Sequence, residues 1–488
     1  MTDPLPIPAT SALSRFRDAL AAAGGATALA QGLIGKDVLV DGPFGPRRLV
    51  YADYVASGRA LRQVEGFVMD EVLPYYANSH TEASYCGARM TTLRREARAV
   101  VAAGCGAGPE HAVIFAGSGA TAGINRLVAL FGLRDAVAAG QRVRVLIGPY
   151  EHHSNILPWR ESGAEVLEVP EGADGGACPA ALARMLDEAA QCDHVIFSFS
   201  AMSNVTGITC DVAGLAGMAK AAGAMVVCDY AGGAPYLPVA ITPTPDAALD
   251  ALVLSPHKFL GGPGASGILV VRRDAVRGAR PTWPGGGTVR FVSPEGQDYS
   301  PALEAREEAG TPNVIGDIRA ALAFLVKEAI GPGLMADRNA ALASRALAAW
   351  RDHPRIELLG HPTAPRVPVF SFRIRDGQGG VVHQQLITRM LSDCHGIQAR
   401  GGCACAGPYV HRLLGIDPET SDRMRAAILA GQEVEKPGFT RLNLSVLMSD
   451  ETVAFILDAV VRLAEKAADL APRYDVDAGR AIFSPRAA

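Results

Sequence analysis

At 488 residues the chain is too long for one hydrophobic core, so a large domain and a smaller companion are expected. Its composition, 49% hydrophobic and 20% charged with a formal net charge of −4, is that of a soluble enzyme and argues against a basic nucleic-acid-binding surface. No run of 18 uncharged apolar residues is present, so no membrane span is expected, and MTDPLPIPATSALSRFRDAL lacks the apolar core of a secretory signal.

In chain order, residues 11–33 read as an Ala-rich helix with Leu13, Phe16 and Leu20 near helical spacing. After the turn DGPFGPRR and a short strand, LVYAD, strand and helix patterns alternate. The strand candidates are HAVIFAG, RVRVLIGP, AEVLEVP, HVIFSFS, AMVVCDY, ALVLSPH and GILVVRR. Most are near-continuous apolar runs, the pattern of strands buried on both faces. Helical segments such as LARMLDEAA and VAGLAGMAKAAG lie between them, predicting a doubly wound α/β fold on a mostly parallel seven-stranded sheet. From Ile318 a long helix, then mixed strands and helices, predict a small α+β domain. The expected boundaries are 50–317 for the large domain, 1–49 with 318–475 for the small one, and a loosely ordered tail over 476–488. Nine scattered cysteines, an odd number, point to reduced thiols and a cytoplasmic location.

Chemistry-bearing residues gather at strand ends, where open α/β sheets build ligand sites. GSGATAGIN at 117–125 follows a strand and opens a helix, so its backbone N–H groups and Thr121 suit an anion. AMVVCDY leaves Asp229 closing an apolar strand, where a carboxylate is costly without a cation. ALVLSPHKFLGG places Ser255, His257 and Lys258 just beyond the next apolar strand, and burial there should depress the lysine's pKa and make it nucleophilic. His152 and His153 follow a fourth strand; no CxxC or HExxH partner accompanies them, so no metal is expected. Singly, these are a turn, a helix cap and a loop end. Together they match pyridoxal 5'-phosphate, which needs a phosphate cup, a ring stacked on its own, a carboxylate at its pyridine nitrogen and a lysine for covalent attachment.

The stretches GATAGIN, YEHHSNILPW, SNVTG, SPHKFLGGPGASG, PGGG, EAGTPN and RGGCAC run in one order along residues 50–465. In this the chain resembles the class V aminotransferase family, pyridoxal-phosphate fold type I, and within it the SUF-type cysteine desulfurases and selenocysteine lyases. The resemblance implies that Lys258 holds the cofactor covalently and moves the substrate's Cα proton. It places Asp229 at the pyridine nitrogen, His152 over the ring and Asn204 at the phenolic oxygen. Ala120, Thr121, Ser255 and His257 correspond to the phosphate cup, which Thr311 completes from the second subunit of a homodimer. Arg441 and Arg400 stand where family arginines hold the substrate carboxylate, a task suited to a planar guanidinium fork.

Two departures stand out: Gly232 replaces a glutamine that often bonds the phenolic oxygen, and residues 417–439 look like an insertion near the active-site loop. The Arg400 spacing aligns Cys405 with the family's persulfide-forming cysteine and leaves Cys403 in a non-catalytic place. The expected reaction is therefore conversion of L-cysteine, or selenocysteine, to L-alanine, with sulfur held on Cys405 and passed to a sulfur-acceptor protein. The alternatives within the family are a carbon–sulfur lyase, an amino-acid epimerase or an aminotransferase. A non-catalytic scaffold for sulfur transfer is disfavoured by the intact Lys258, Asp229 and His152.

Overall fold

The structure, a computed structural model, describes residue 8 and residues 10–79 and 81–486. It divides into two compact units: 1–34, 57–202 and 210–333 in the first, and 35–56, 203–209 and 334–488 in the second.

The first unit is built on seven strands, β1 (His111–Gly117), β2 (Val143–Ile147), β3 (Glu165–Glu168), β4 (His194–Ser200), β5 (Met225–Asp229), β6 (Ala251–Leu254) and β7 (Gly267–Arg272). They are the seven expected runs, in the sheet order β1-β7-β6-β5-β4-β2-β3. Strands β2 to β6 pair in parallel, while β7 runs antiparallel to both β1 and β6. Because β7 reverses direction, β1 points the same way as the parallel set, and the C-terminal ends of six strands share one edge. Most of the strands are buried and apolar through their middles, as strands covered on both faces are, whereas β3 at the sheet edge carries Glu165 and Glu168 and is part-exposed.

The helices of this unit include α1 (Ala12–Ala22) and α2 (Tyr85–Cys105), which precede the sheet, α3 (Gly119–Leu130), which follows β1, and α4 (Val314–Ile330), which follows β7. Ser84 caps α2 by accepting the Gly87 N–H at 3.2 Å, and Asn313 caps α4 through the Gly316 N–H at 3.1 Å. Helix α4 buries apolar residues around its whole circumference, as a helix in the middle of a domain must. The helix expected over 11–33 is interrupted: α1 stops before Gly24 and Gly25, both at positive φ, and a short second helix begins at Ala26. Phe16 of α1 meets Phe67 edge-to-face, so this helix belongs with the first unit rather than the smaller domain.

The second unit holds an antiparallel sheet of β8 (Ile356–Leu358), β9 (Val369–Arg375), β10 (Val381–Val382), β11 (Arg400–Gly402) and β12 (Phe439–Asn443). Its order is β8-β9-β12-β11, with β10 also pairing with β9. On it lie α5 (Gln384–His395) and α6 (Asp450–Leu470), the latter presenting Val453, Ile456, Val460, Leu463 and Ala467 at helical spacing. Trp350, fully buried, packs its ring against Phe370 and Phe372 of β9.

The tail from 476, expected to be loosely ordered, instead pairs as a hairpin, Tyr474–Asp477 with Ile482–Pro485. Phe483 meets His383 with the rings tilted and their centroids 5.1 Å apart, and the Tyr474 hydroxyl donates to Asp393 at 3.2 Å. The insertion forms an exposed helix, Pro418–Leu429, that buries none of its residues. The Ala478 carbonyl of the hairpin accepts the Val434 N–H, so hairpin and insertion brace each other. Among the described residues, no helix is long and apolar enough to cross a membrane.

Candidate active site

The first unit assembles one group of residues at the shared strand edge. Helix α3 starts two residues after β1 ends, and the turn Pro256–Lys258 starts two residues after β6 ends. These loops are tied directly, since the Ser255 hydroxyl accepts the Ala120 N–H at 3.0 Å. Gly119 lies between them at φ 61°, where a Cβ would sit 2.9 Å from that hydroxyl. The loop after β2 joins through Ser154, whose hydroxyl is 2.6 Å from that of Thr121 and whose N–H donates to His152 Nδ1 at 3.1 Å. Hydrogen bonds thus bring Ala120, Thr121, His152 and Ser255 together.

Asp229 closes β5 with 4% of its surface exposed, and its Oδ1 accepts the Ala231 N–H at 2.7 Å. Burial raises its carboxyl pKa, while that N–H and the positive charge of Lys258 act the other way. Burial also lowers the pKa of the His257 imidazole, and the charge of Lys258 lowers it further. The lysine turn is held from below by Gly58, whose N–H donates to the His257 carbonyl at 2.9 Å. A Cβ at Gly58 would lie 1.7 Å from the Phe259 carbonyl oxygen, so the backbone there packs against backbone. Thr311 is exposed on the turn before α4 and is not hydrogen-bonded to this group.

Behind His152 lies a residue that sequence reading passed over. Glu151 is buried, its Oε1 accepting the Ser200 N–H at 2.8 Å and its Oε2 accepting from Ser200 Oγ at 2.7 Å and Asn155 Nδ2 at 2.5 Å. Burial pushes its carboxyl up to about 8 against those three hydrogen bonds, with Asp229 adding to the rise. Ser200 is also the β4 partner of Asp229, so one strand end braces both carboxylates.

The second unit assembles a different group, and register explains it. The short strand Val50–Tyr51 pairs in parallel with Ile397–Gln398, matching Gln398 to Tyr51. Two residues further along each chain, Arg400 therefore comes level with Asp53. Arg400 is also the cross-strand partner of Arg441 in the β11–β12 pair. The result is a shared carboxylate: Asp53 Oδ2 accepts from Arg400 Nε at 2.9 Å and Oδ1 from Arg441 Nη2 at 3.0 Å. Arg441 is buried; Arg400 is half-exposed. The one sequence signal for Asp53 is its place just past the short strand Val50–Tyr51; nothing in the sequence points to its arginine partners.

Asn204 belongs to this second unit. Its side-chain amide donates to the Ala404 carbonyl at 2.8 Å, and its own carbonyl accepts from Arg441 Nη1 at 3.0 Å. Cys405 is exposed and Cys403 half-buried, and all nine cysteines are free thiols. Gly232 lies buried just past β5. Among the described residues, no cluster of three or more His, Cys, Asp or Glu side chains is arranged to hold a metal ion.

The first unit's residues fit pyridoxal phosphate. Backbone N–H groups at the start of α3, the Thr121 and Ser255 hydroxyls and a close-packed Gly119 are suited to receive a phosphate. A buried carboxylate within the field of Lys258 suits a protonated ring nitrogen.

The Aminotransferase class-V family profile matches residues 50–436. Similar proteins include a probable cysteine desulfurase from Vibrio cholerae serotype O1, 33% identical over 373 residues, which cover 74% of this chain and 85% of that protein. A cysteine desulfurase from Enterobacter sp. (strain 638) is 32% identical over 370 residues, with the same coverage. The solved apo structure of a cysteine desulfurase from Thermococcus onnurineus NA1 superposes with a TM-score of 0.70 at 25% identity, covering 86% of this chain and 95% of that one. Fold, site chemistry and a profile match over most of its length agree, and the chain belongs to the aminotransferase class-V family.

Proposed function

We propose that this protein is a pyridoxal-phosphate-dependent cysteine desulfurase that converts L-cysteine to L-alanine and keeps the sulfur as a persulfide on Cys405. The observation that carries this reading is the exposed Cys405 on the loop that follows Arg400, in the same unit as the Asp53-bound arginines. The names of the similar proteins support it.

Each residue has a task set by its chemistry. Ala120, Thr121, Ser255 and His257 would line the phosphate site, with Ser255 held in place by the Ala120 N–H, and Lys258 would attach the cofactor covalently. Asp229 holds a proton on the pyridine nitrogen, and His152 covers the ring. When bound, the cofactor supplies an electron sink for charge developing at the substrate Cα. Lys258 takes the Cα proton there, and the Arg441 fork, supported by Arg400, grips the carboxylate. The Cys405 thiolate attacks the substrate sulfur; the C–S bond electrons stay with the substrate carbon, which is later protonated to alanine. Thr311 would complete the phosphate site of the other subunit in a homodimer. The persulfide then passes to a sulfur-acceptor protein, and free thiols throughout suit a reducing, cytoplasmic setting.

The test is to incubate the purified holoenzyme with cysteine, selenocysteine and a panel of amino acids, measuring alanine, pyruvate and sulfide. Alanine with sulfane sulfur mapped to Cys405 is the expected result. Pyruvate with free sulfide would replace the desulfurase reading by a carbon–sulfur lyase, the second reading that Gly232 favours by removing one cofactor contact. Racemised or transaminated products would point to an epimerase or aminotransferase.

A further inference from the structure

Only three non-glycine residues among those described have positive φ: Ala404 at 50°, Cys405 at 55° and Ala481 at 51°. Two of the three are adjacent, and one carries the thiol. Neither has the short polar side chain that lets Asn or Asp stabilise this conformation locally. Something outside the turn must therefore hold it.

Within the turn the Ala406 N–H donates to the Cys403 carbonyl at 3.2 Å, which closes the loop without fixing its handedness. The external hold is Asn204, whose amide N–H₂ reaches the Ala404 carbonyl at 2.8 Å across two hundred residues of chain. Asn204 is itself rigidly placed. The Ser203 hydroxyl accepts the Val205 and Thr206 N–H groups at 3.2 and 3.1 Å, and the Gly207 N–H donates to the Ser203 carbonyl at 3.0 Å. Ser371 of β9 fastens the same turn by donating to the Val205 carbonyl at 2.6 Å. Finally, the Asn204 carbonyl accepts from Arg441, whose other nitrogen meets Asp53.

We infer that Asn204 is a positioning residue for the thiol. It pins the Ala404 carbonyl so that Cys405 stands out in the left-handed conformation, and it ties that loop to the arginine assigned to the substrate carboxylate. The importance of Cys405 rests on the desulfurase reading; the anchoring itself does not.

The test compares wild-type holoenzyme with Asn204→Asp, which keeps the shape but turns an oxygen toward the carbonyl, and with Asn204→Ala. Amide hydrogen exchange of the peptide spanning 403–406 should speed up by about fivefold to tenfold in both, the worth of one net hydrogen bond, with the β4 and β5 peptides unchanged. With cysteine, kcat should fall by a similar factor while KM stays within twofold. Adding Ala404→Gly to Asn204→Ala should recover part of the lost kcat, because glycine takes positive φ without an anchor. A role in overall folding would not be rescued in that way. Unchanged loop exchange in both variants, or a displaced cofactor absorption band with normal loop exchange, would overturn the inference and place Asn204 at the cofactor. No recovery with glycine would sever loop geometry from turnover. Failure of the desulfurase reading would look different: Cys405→Ala would make alanine from cysteine at the wild-type rate, while the exchange result in the Asn204 variants stood.

Discussion

Asp53 Oδ1 and Arg441 Nη2 lie 3.0 Å apart with both side chains buried, so the arginine assigned to the substrate carboxylate already holds an anion of its own. Breaking a buried pair by removing one charge leaves the other uncompensated, at a cost of about 3–5 kcal/mol. Asp53→Asn should therefore lower the melting temperature and raise KM for cysteine, since both Arg441 and Arg400 lose their orienting partner. Arg441→Lys keeps the charge but loses the fork, so KM should rise with the cofactor absorption spectrum unchanged. An unaltered KM in both variants would place the carboxylate elsewhere.

Borohydride reduction of the yellow holoenzyme should fix the cofactor to Lys258, as read by peptide mass mapping. Lys327 is the informative control. Like Lys258 it is half-buried; its pKa is lowered to about 8 by desolvation, but its ammonium is spent on the Ala234 carbonyl at 2.7 Å. Label on Lys327 instead would refute the assignment. Lys258→Ala should retain cofactor non-covalently and lose turnover, because the amine serves both attachment and proton transfer.

The two loop cysteines should behave differently. Cys405 is exposed and Cys403 half-buried, so Cys405→Ala should abolish alanine formation from cysteine by at least two orders of magnitude, roughly the factor expected when a nucleophile is lost. Cys403→Ala should change turnover by no more than about threefold. Selenocysteine should remain a substrate for Cys405→Ala, because selenium leaves more readily. Comparable losses in both variants would mean that the thiols act as a pair.

Glu151 sets a pH dependence of folding. Its carboxyl, raised by burial to about 8, holds a proton in the folded state that the unfolded chain releases near 4.5. Its favourable contribution is thus complete below about pH 4.5 and is lost as pH rises to about 8, by up to roughly 1.4 kcal/mol per unit. Chemical denaturation of wild type and Glu151→Gln from pH 5 to 9 should show the wild type losing ground to the variant until about pH 8, then running parallel. Parallel curves throughout would show that Glu151 is ionised in the folded protein.

Much of the fold was legible because strands buried on both faces have few places for polar residues, so most of the sheet strands stood out as apolar runs, the edge strand β3 with its two glutamates being the weakest of them. The residues closing those strands were legible for the same reason: Asp229, Ser255 and Lys258 interrupt patterns that are otherwise apolar. Helix α1 was overextended because its periodicity continues past Gly24 and Gly25, whose positive φ breaks the axis while the apolar spacing persists. The tail hairpin was missed because its strands are only four residues long and mostly exposed, too short for the Tyr-Asp-Val-Asp alternation of the first to stand out. Asp53 went unread because its partners, Arg400 and Arg441, become neighbours only through a parallel pairing of two-residue strands far apart in sequence. The left-handed turn at Ala404 and Cys405 has no local signature at all, since neither residue type favours it and its anchor comes from Asn204.

The clamp of Gly58 on the lysine turn has a consequence for reading other genomes. With only 1.7 Å between an ideal Cβ at this position and the Phe259 carbonyl oxygen, any larger residue would force the segment carrying Lys258 to shift. A related chain with a side chain at the equivalent of position 58 must therefore hold its lysine turn at a different height above the sheet. That one residue, some two hundred positions ahead of the lysine, serves as a marker for sorting such chains before any is expressed.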